Sequence, residues 1–544
     1  MLPTACSYNG MIVTPHRLAS QAGVEVLRQG GNAVEAAIAA AAALCVVYPH
    51  MTGLGGDGFW LILPKQDESK NAPAEPIFID ACGRSALAVS RDWYAARGLD
   101  AIPKRGPHAA LTMAGAVSGW RMALDEAARA MKTDAGPLGL DKLFADAVAC
   151  AEHGYPVTRS QSEMTGERLA ELANQPGFAG QFLVNGNPPP ENSRLRFPAL
   201  ARTFRRLAED GLDDFYHGRL AEEMAADLQA AGSPLTLEDF KAHRAEQRQP
   251  LTVRLSGARL FNSPPPTQGV ASLAILALLE KFINRTHGNL HDEAVLVHSL
   301  VEATKRAFLL RDRFVGDPDC MELPAQDLLT PEKLAPLADA MSADKALPWP
   351  QAAPGGDTIW MGVMDRYGNT VSYIQSIFHE FGSGLVLPST GIAWQNRGLS
   401  FTFAPGTANS LAPGKKPFHT LNPALALLDD GRTVSYGTMG GEGQPQTQAA
   451  VFSRYFFLNQ LPQQAVSAPR WLLGRTWGDT STTLKLEANF PSALVEQLKA
   501  LGHTVETVPA LSTMMGHAGA LIRHPDGLLE GAFDPRSDGS AGCW

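Results

Sequence analysis

Pro354-Gly355-Gly356-Asp357-Thr358-Ile359-Trp360-Met361-Gly362-Val363-Met364 sets a Pro/Gly segment directly against an apolar run. The run is long enough for a buried strand, so Thr358 is a hydroxyl residue at the point where a loose loop enters the core. Two readings are open. Thr358 is an ordinary first residue of a strand, or the chain is cut between Asp357 and Thr358. A cut would leave Thr358 as a new N-terminus, with nucleophile and base on one residue. The local residues favour the ordinary strand, and the rest of the chain has to decide.

After Thr358 the pattern is short strands with a few helices. Ile359–Met364, the turn 365–369 and Thr370–Ser376 predict a hairpin. Further strands are expected at Gly391–Gln395, Ala424–Leu428, Thr433–Tyr436, Gly519–Arg523 and Leu528–Ala532, with helices near 444–459 and 492–502. Before it, residues 341–357 read as a linker, and 112–330 as mainly helical: 115–131, 138–153, 219–231, 268–283 and 292–313. Residues 16–47 predict a helix that stops and restarts at Gly30-Gly31-Asn32. Strands are expected at Phe59–Leu63 and Ile77–Asp80. Strands and helices in separate blocks make an α+β chain. The charged face around His298, Glu302, Lys305, Arg306, Arg311, Asp312 and Arg313 is expected to be solvated or salt-bridged, without a catalytic role.

The chain has 544 residues, 45% hydrophobic and 19% charged, with a net charge of −9. That balance supports a large core and argues against a nucleic-acid partner. No apolar run is long enough for a membrane span. The first residues have neither a basic nor an apolar leader pattern, so a cytoplasmic location is expected. The six cysteines are scattered without metal spacing, so neither metal nor cofactor is expected. Gly53-Leu54-Gly55-Gly56-Asp57-Gly58 matches G-x-G-x-x-G, but a helix precedes it and a strand follows. That order is the reverse of a dinucleotide site, so a glycine-rich turn is the better reading. Gly440-Gly441 after a strand is either a turn or a pair of N–H groups aimed at an oxyanion. Arg397, among polar residues, suits a carboxylate by its planar fork, or a core salt bridge equally well.

In order along the chain, Gly10–Thr14, Gly30-Gly31-Asn32-Ala33-Val34-Glu35-Ala36-Ala37, Gly53–Phe59, Pro264-Pro265-Pro266-Thr267, Gly316-Asp317-Pro318, Asp357-Thr358, Gly440-Gly441 and Asp534-Pro535-Arg536 resemble the gamma-glutamyltransferase family. The resemblance implies the N-terminal nucleophile hydrolase fold, a four-layer αββα sandwich made as one self-cleaving chain. It implies a large fragment 1–357 and a small fragment 358–544 that stay associated. Thr358 would be nucleophile and, through its freed amine, base. Gly440 and Gly441 would form the oxyanion pair, and Ser376 would stand where the family keeps a supporting threonine. Homo-oligomerisation is left open.

The sequence departs from the transferases where they bind a glutamyl α-amino group. Phe378, Arg397 and Ser400 stand in place of an Asn, a Gln and an Asp, and His419 and Thr420 in place of paired serines. The family's carboxylate-binding arginine falls near Ile79, with Arg84 as a nearby substitute. An α-ammonium beside Arg397 would be repelled with no anion to offset it. The stretches around Phe378–Gly384, Trp394–Gly398 and Pro417–Pro423 resemble the oxamate amidohydrolase branch. The expected function is therefore hydrolysis of a small carboxylate-bearing amide, oxamate to oxalate and ammonia, in purine and allantoin nitrogen catabolism. Arg397, His419, Thr420, Asn396 and Arg84 are the expected substrate contacts. Glutathione hydrolysis, transfer of γ-glutamyl groups and cephalosporin-type acylase activity are the alternatives within the family. A nucleotide-dependent oxidoreductase and an inactive binding homologue are the alternatives outside it.

Overall fold

Side chains alternate along the strands, and the alternation lays out the layers. In Asp57–Leu63, Phe59, Leu61 and Leu63 enter one apolar cluster, while Trp60 and Ile62 enter another. In Gly10–Thr14, Met11 and Val13 part from Ile12 in the same way, and in Asp357–Asp365, Trp360 and Met364 part from Ile359, Met361 and Val363. A period of two with both faces apolar describes a sheet covered on both sides. A computed structural model describes residues 2–65, 75–131, 133, 136–349, 357–474 and 481–544.

Two seven-stranded sheets form the centre. The first runs Ser540–Cys543, Gly10–Thr14, Asp357–Asp365, Thr370–Phe378, Asp57–Leu63, Ile77–Ala81 and Glu246–Arg248. The second runs Ala5–Ser7, Leu529–Phe533, Ala518–Arg523, Thr433–Thr438, Ala424–Leu428, Ala258–Asn262 and Leu251–Leu255. The cluster between them joins Phe59, Leu61, Trp360 and Ile374 of the first sheet to Phe261, Leu425 and Leu521 of the second. Outside the first sheet lie the helices Arg17–Arg28, Ala33–Val47 and Ala116–Ala130; outside the second lie Gly269–Thr286, Glu293–Phe314 and Gln444–Phe456. The result is the expected αββα sandwich. Among the described residues no helix is long and apolar enough to cross a membrane.

The break in the first helical region falls where expected. Asn32 caps Ala33–Val47 and Glu35 reaches back to the Asn32 N–H, a capping box that restarts the helix. The glycine-rich stretch is a turn leading into Asp57–Leu63. A Cβ at Gly55 would lie 2.2 Å from the Ala393 carbonyl oxygen, and one at Gly56 2.2 Å from that of Ser376.

Two expectations change, and one resolves between its alternatives. The region 112–330 contains the hairpin Leu251–Leu255 and Ala258–Asn262, closed through Gly257 at φ 95°. Gly391–Gln395 forms no strand: Ala393 and Trp394 make only isolated bridges, because their backbone partners, Val386 and Gly55, themselves lie in loops. The charged face of Glu293–Phe314 takes the salt-bridged alternative where it is buried, at Glu302, Lys305, Arg306 and Arg311, while Asp312 and Arg313 are exposed. Glu302 binds Lys305 and Arg306 at 2.8 Å each, and His298 binds His503 at 2.8 Å. Of the 341–357 linker, 350–356 lie outside the described residues.

Candidate active site

Thr358 sits at an irregularity in the central hairpin. Asp357 pairs with Phe378, but Ile359 pairs with Gln375, so Ser376 and Ile377 stand against Thr358 alone. Such bulges re-aim side chains beside active sites. The Thr358 side chain is fully buried, and its Oγ1 has no hydrogen-bond partner among the described residues. Buried hydroxyls are seldom left unpaired, so an unpaired one needs an explanation. The opposite strand holds its end in place through Ser376, whose Oγ accepts the Phe378 N–H at 2.8 Å. Phe378 itself adopts φ 78°, a backbone region that a bulky side chain rarely enters.

The second sheet brings Gly440 and Gly441 to the same end. Ser435 Oγ donates to the Val371 carbonyl at 3.0 Å, and Val371 pairs with Val363. Two residues on, Gly437 lies flat against the Trp360 indole, where a Cβ would fall 2.2 Å from Cδ1. The strand thus runs from the level of Val363 to that of Trp360, and its continuation carries Gly440-Gly441 towards Thr358. Both glycines have positive φ, 122° and 51°, and the Gly443 N–H closes the turn on the Gly440 carbonyl at 2.8 Å.

The sequence reading missed what anchors this turn. Gln268 Nε2 donates to the Gly441 carbonyl at 2.8 Å and to the Thr420 carbonyl at 2.7 Å, while its Oε1 accepts from Arg311. Arg311 also pairs with Glu442 at 2.8 Å. One buried carboxamide therefore ties the glycine turn to the segment carrying Thr420. No local pattern marks Gln268, and Arg311 was hidden in an ordinary-looking charged helix.

Arg397 is fully buried, with its guanidinium carbon 3.8 Å from the centroid of the Phe378 ring. Among the described residues its terminal nitrogens reach Thr420 Oγ1 alone, at 3.4 and 3.3 Å, and its Nε has no partner. No carboxylate among the described residues pairs with it. Burial pulls its pKa down to about 9, with Asp57 and then Cys82 pushing the other way. Asp57 lies behind it. Its Oδ1 accepts from the backbone N–H groups of Gly83 and Gly115 and from Gln395 Nε2, at 2.9, 3.1 and 3.1 Å. Its Oδ2 is 2.9 Å from His419 Nε2. Burial pushes the Asp57 pKa up to about 7 against these hydrogen bonds and the Arg397 charge. Burial and then Arg397 hold His419 well below its ordinary range, so the imidazole is neutral at pH 7. His419 Nδ1 is also buried without a hydrogen-bond partner among the described residues.

Two of the expected substrate contacts are engaged elsewhere. Asn396 Nδ2 donates to the Lys104 carbonyl and its Oδ1 accepts the His379 N–H, so its carboxamide is used by the loop. Arg84 is partly exposed and paired with Asp319, Glu246 and Asp317 at 3.0, 3.4 and 3.7 Å, so carboxylates of the chain offset its charge. Thr358, Ser376, Arg397, His419, Thr420, Gly440 and Gly441 are brought together around one end of the hairpin.

Among the described residues two buried groups have atoms close enough to share a metal ion, Asp57–Cys82–His419 and His298–Glu302–His503. In the first, the Asp57 and His419 atoms face each other at hydrogen-bond distance beside the Arg397 cation, which would repel an ion. In the second, Glu302 is taken up by Lys305, Arg306 and the Leu347 N–H, and His298 Nε2 by the Ser342 carbonyl. Both are hydrogen-bond networks.

Comparison with known proteins gives the family of the chain. The family model described as gamma-glutamyltranspeptidase matches residues 19–544. The chain is 53% identical over 535 residues to the oxamate amidohydrolase proenzyme of Klebsiella pneumoniae, covering 98% of each chain. It is 40% identical to the glutathione hydrolase-like YwrD proenzyme of Bacillus subtilis, again over 98% of each. Among solved structures it superposes on a cephalosporin acylase from Bacillus halodurans with a TM-score of 0.89 and 30% identity, over 100% of this chain and 97% of that one. The chain belongs to the gamma-glutamyltranspeptidase family and is a hydrolase of the N-terminal nucleophile class.

Proposed function

We propose that the chain cuts itself between Asp357 and Thr358 and that Thr358 of the resulting 358–544 fragment hydrolyses a small amide bearing a carboxylate, with oxamate as the substrate. The names of the proenzymes it resembles agree with the self-processing. In the precursor the Thr358 hydroxyl attacks the Asp357 carbonyl, the peptide becomes an ester, and water opens it. The freed α-amine has an ordinary pKa of roughly 8, so part of it is neutral near pH 7. It takes the hydroxyl proton as Oγ1 attacks the amide carbon. Gly440 and Gly441 N–H groups stabilise the oxyanion. The α-ammonium then protonates the leaving nitrogen, ammonia departs, and water releases oxalate from the acyl-enzyme.

The observation that carries the choice of substrate is Arg397: a fully buried cation whose Nε is unpaired and whose guanidinium bonds no carboxylate among the described residues, Asp57 acting on it only from behind. A substrate carboxylate supplies that anion, with Thr420 and His419 beside it. The same cation disfavours a γ-glutamyl α-ammonium. Release of oxalate and ammonia would place the enzyme in purine-nitrogen use downstream of allantoin. The test is ammonia release from oxamate, glutamine, glutathione and a glutaryl amide. The reading expects oxamate to give the highest kcat/KM, and a higher value for any glutamyl compound would refute it.

A further inference from the structure

Gln444 opens the helix Gln444–Phe456 two residues after the glycine turn. Its side chain is fully buried, yet neither Nε2 nor Oε1 has a hydrogen-bond partner among the described residues. Among the buried side-chain amides of the described residues, it alone leaves both ends open. A carboxamide offers two donors and an acceptor. Burial without a protein partner costs free energy that a polar group bound against it would offset.

The helix geometry says what Gln444 faces. Residues one turn apart share a face. At i+4, Gln448 Nε2 donates to the Asn422 carbonyl at 2.5 Å, and its Oε1 accepts from Asn262 at 3.2 Å. At i+3, Thr447 Oγ1 donates to the Met515 carbonyl at 3.1 Å. Gln444 therefore projects between the segment that carries His419 and Thr420 and the segment Met515-Gly516. The latter backs the glycine turn: a Cβ on Gly440 would come within 3.2 Å of Gly516 Cα. Through Gln268, which bonds both the Gly441 and the Thr420 carbonyls, the turn that leads into Gln444 lies against the segment whose Thr420 hydroxyl meets Arg397.

We propose that Gln444 reads the amide end of the substrate and restricts the enzyme to unsubstituted amides. This rests on the amidohydrolase reading of Thr358. Oε1 accepts one N–H of the substrate –CONH2, and Nε2 donates to the carbonyl oxygen, a paired amide–amide contact. The N–H used is the one on the same side of the C–N bond as the carbonyl oxygen. In a trans secondary amide that position holds the substituent instead. An N-alkyl amide thus loses the contact and sets an alkyl group against Oε1, leaving both ends of Gln444 unpaired. Arg397 selects the carboxylate at one end, and Gln444 selects ammonia as leaving group at the other.

The test compares kcat/KM for oxamate and N-methyloxamate in the wild type and in Gln444→Met, which keeps length and removes both polar ends. Cleavage into two fragments is checked first by denaturing electrophoresis. The wild type is expected to favour oxamate by about a hundredfold or more, and Gln444→Met to lower that ratio about tenfold or more, mainly through oxamate. Equal losses on both substrates, or no loss, would overturn the assignment. Should Gln444→Met fail to process, Gln444→Asn, which retracts the amide by one methylene, is read by the same ratio. A wild type that leaves oxamate intact but cleaves glutamine or a glutaryl amide would defeat the oxamate reading alone. The ratio is then measured on that amide and its N-methyl form. A wild type that releases ammonia from none of them overturns both.

Discussion

A guanidinium taken out of water needs an anion or several good acceptors, and Arg397 has one hydroxyl at 3.3–3.4 Å and the face of Phe378. Its replacement shows what it is for. Arg397→Gln should raise KM for oxamate about tenfold to a hundredfold, the loss of one charge-assisted contact of about 1.5–3 kcal/mol. It should leave fragment formation intact; unchanged KM in steady-state assays would remove Arg397 from the substrate site. Asp57 behind it carries a pH signature. Burial raises its folded pKa to about 7 from an ordinary value of 3.8, so the folded state holds a proton that the unfolded state has lost. The stability this gives is complete below about pH 4 and disappears as pH rises through 7. His419, held well below its ordinary range, contributes in the opposite sense, its stability lost as pH falls below about 6.5. Removing Asp57 isolates the first effect. In an uncut Thr358→Ala background, Asp57→Asn should flatten the fall of the urea midpoint between pH 4 and 7; a slope unchanged by the substitution would contradict the buried-carboxyl account.

At the scale of elements, the glycine turn after Thr433–Thr438 depends on backbone no other residue adopts easily. Gly440→Ala would put a Cβ at φ 122° and 3.2 Å from the Gly516 backbone, so the turn must shift and its N–H groups with it. The expected result is a fall of about a hundredfold or more in kcat with folding retained, checked by single-turnover kinetics beside circular dichroism. Normal turnover would mean the oxyanion is held elsewhere. The central hairpin and the capped restart at Asn32 were legible in the sequence, because alternation, a turn and a cap are local signals. The hairpin Leu251–Leu255 with Ala258–Asn262 was obscured by helices on either side. The Gly391–Gln395 segment looked like a strand because its apolar residues pack into the core, but no regular strand lies beside it to complete a ladder.

At the scale of the molecule, Asp357–Asp365 lies inside the first sheet, between Gly10–Thr14 and Thr370–Phe378. A cut before Thr358 therefore severs the chain at the end of a strand that pairs on both sides, and the fragments should co-purify and part only in denaturant. The chain-wide order of motifs exposed the family and the junction, whereas Gln268, Arg311 and Gln444 act through contacts between distant segments and have no signature in any one stretch. The most direct test of the account is the mass and N-terminal sequence of the denatured purified protein. The prediction is two chains, the smaller beginning at Thr358 and ending at Trp544, with Thr358→Ala remaining a single inactive chain. A wild-type protein that stays uncut while hydrolysing its substrate, or a cut that leaves a different N-terminal residue, would contradict it.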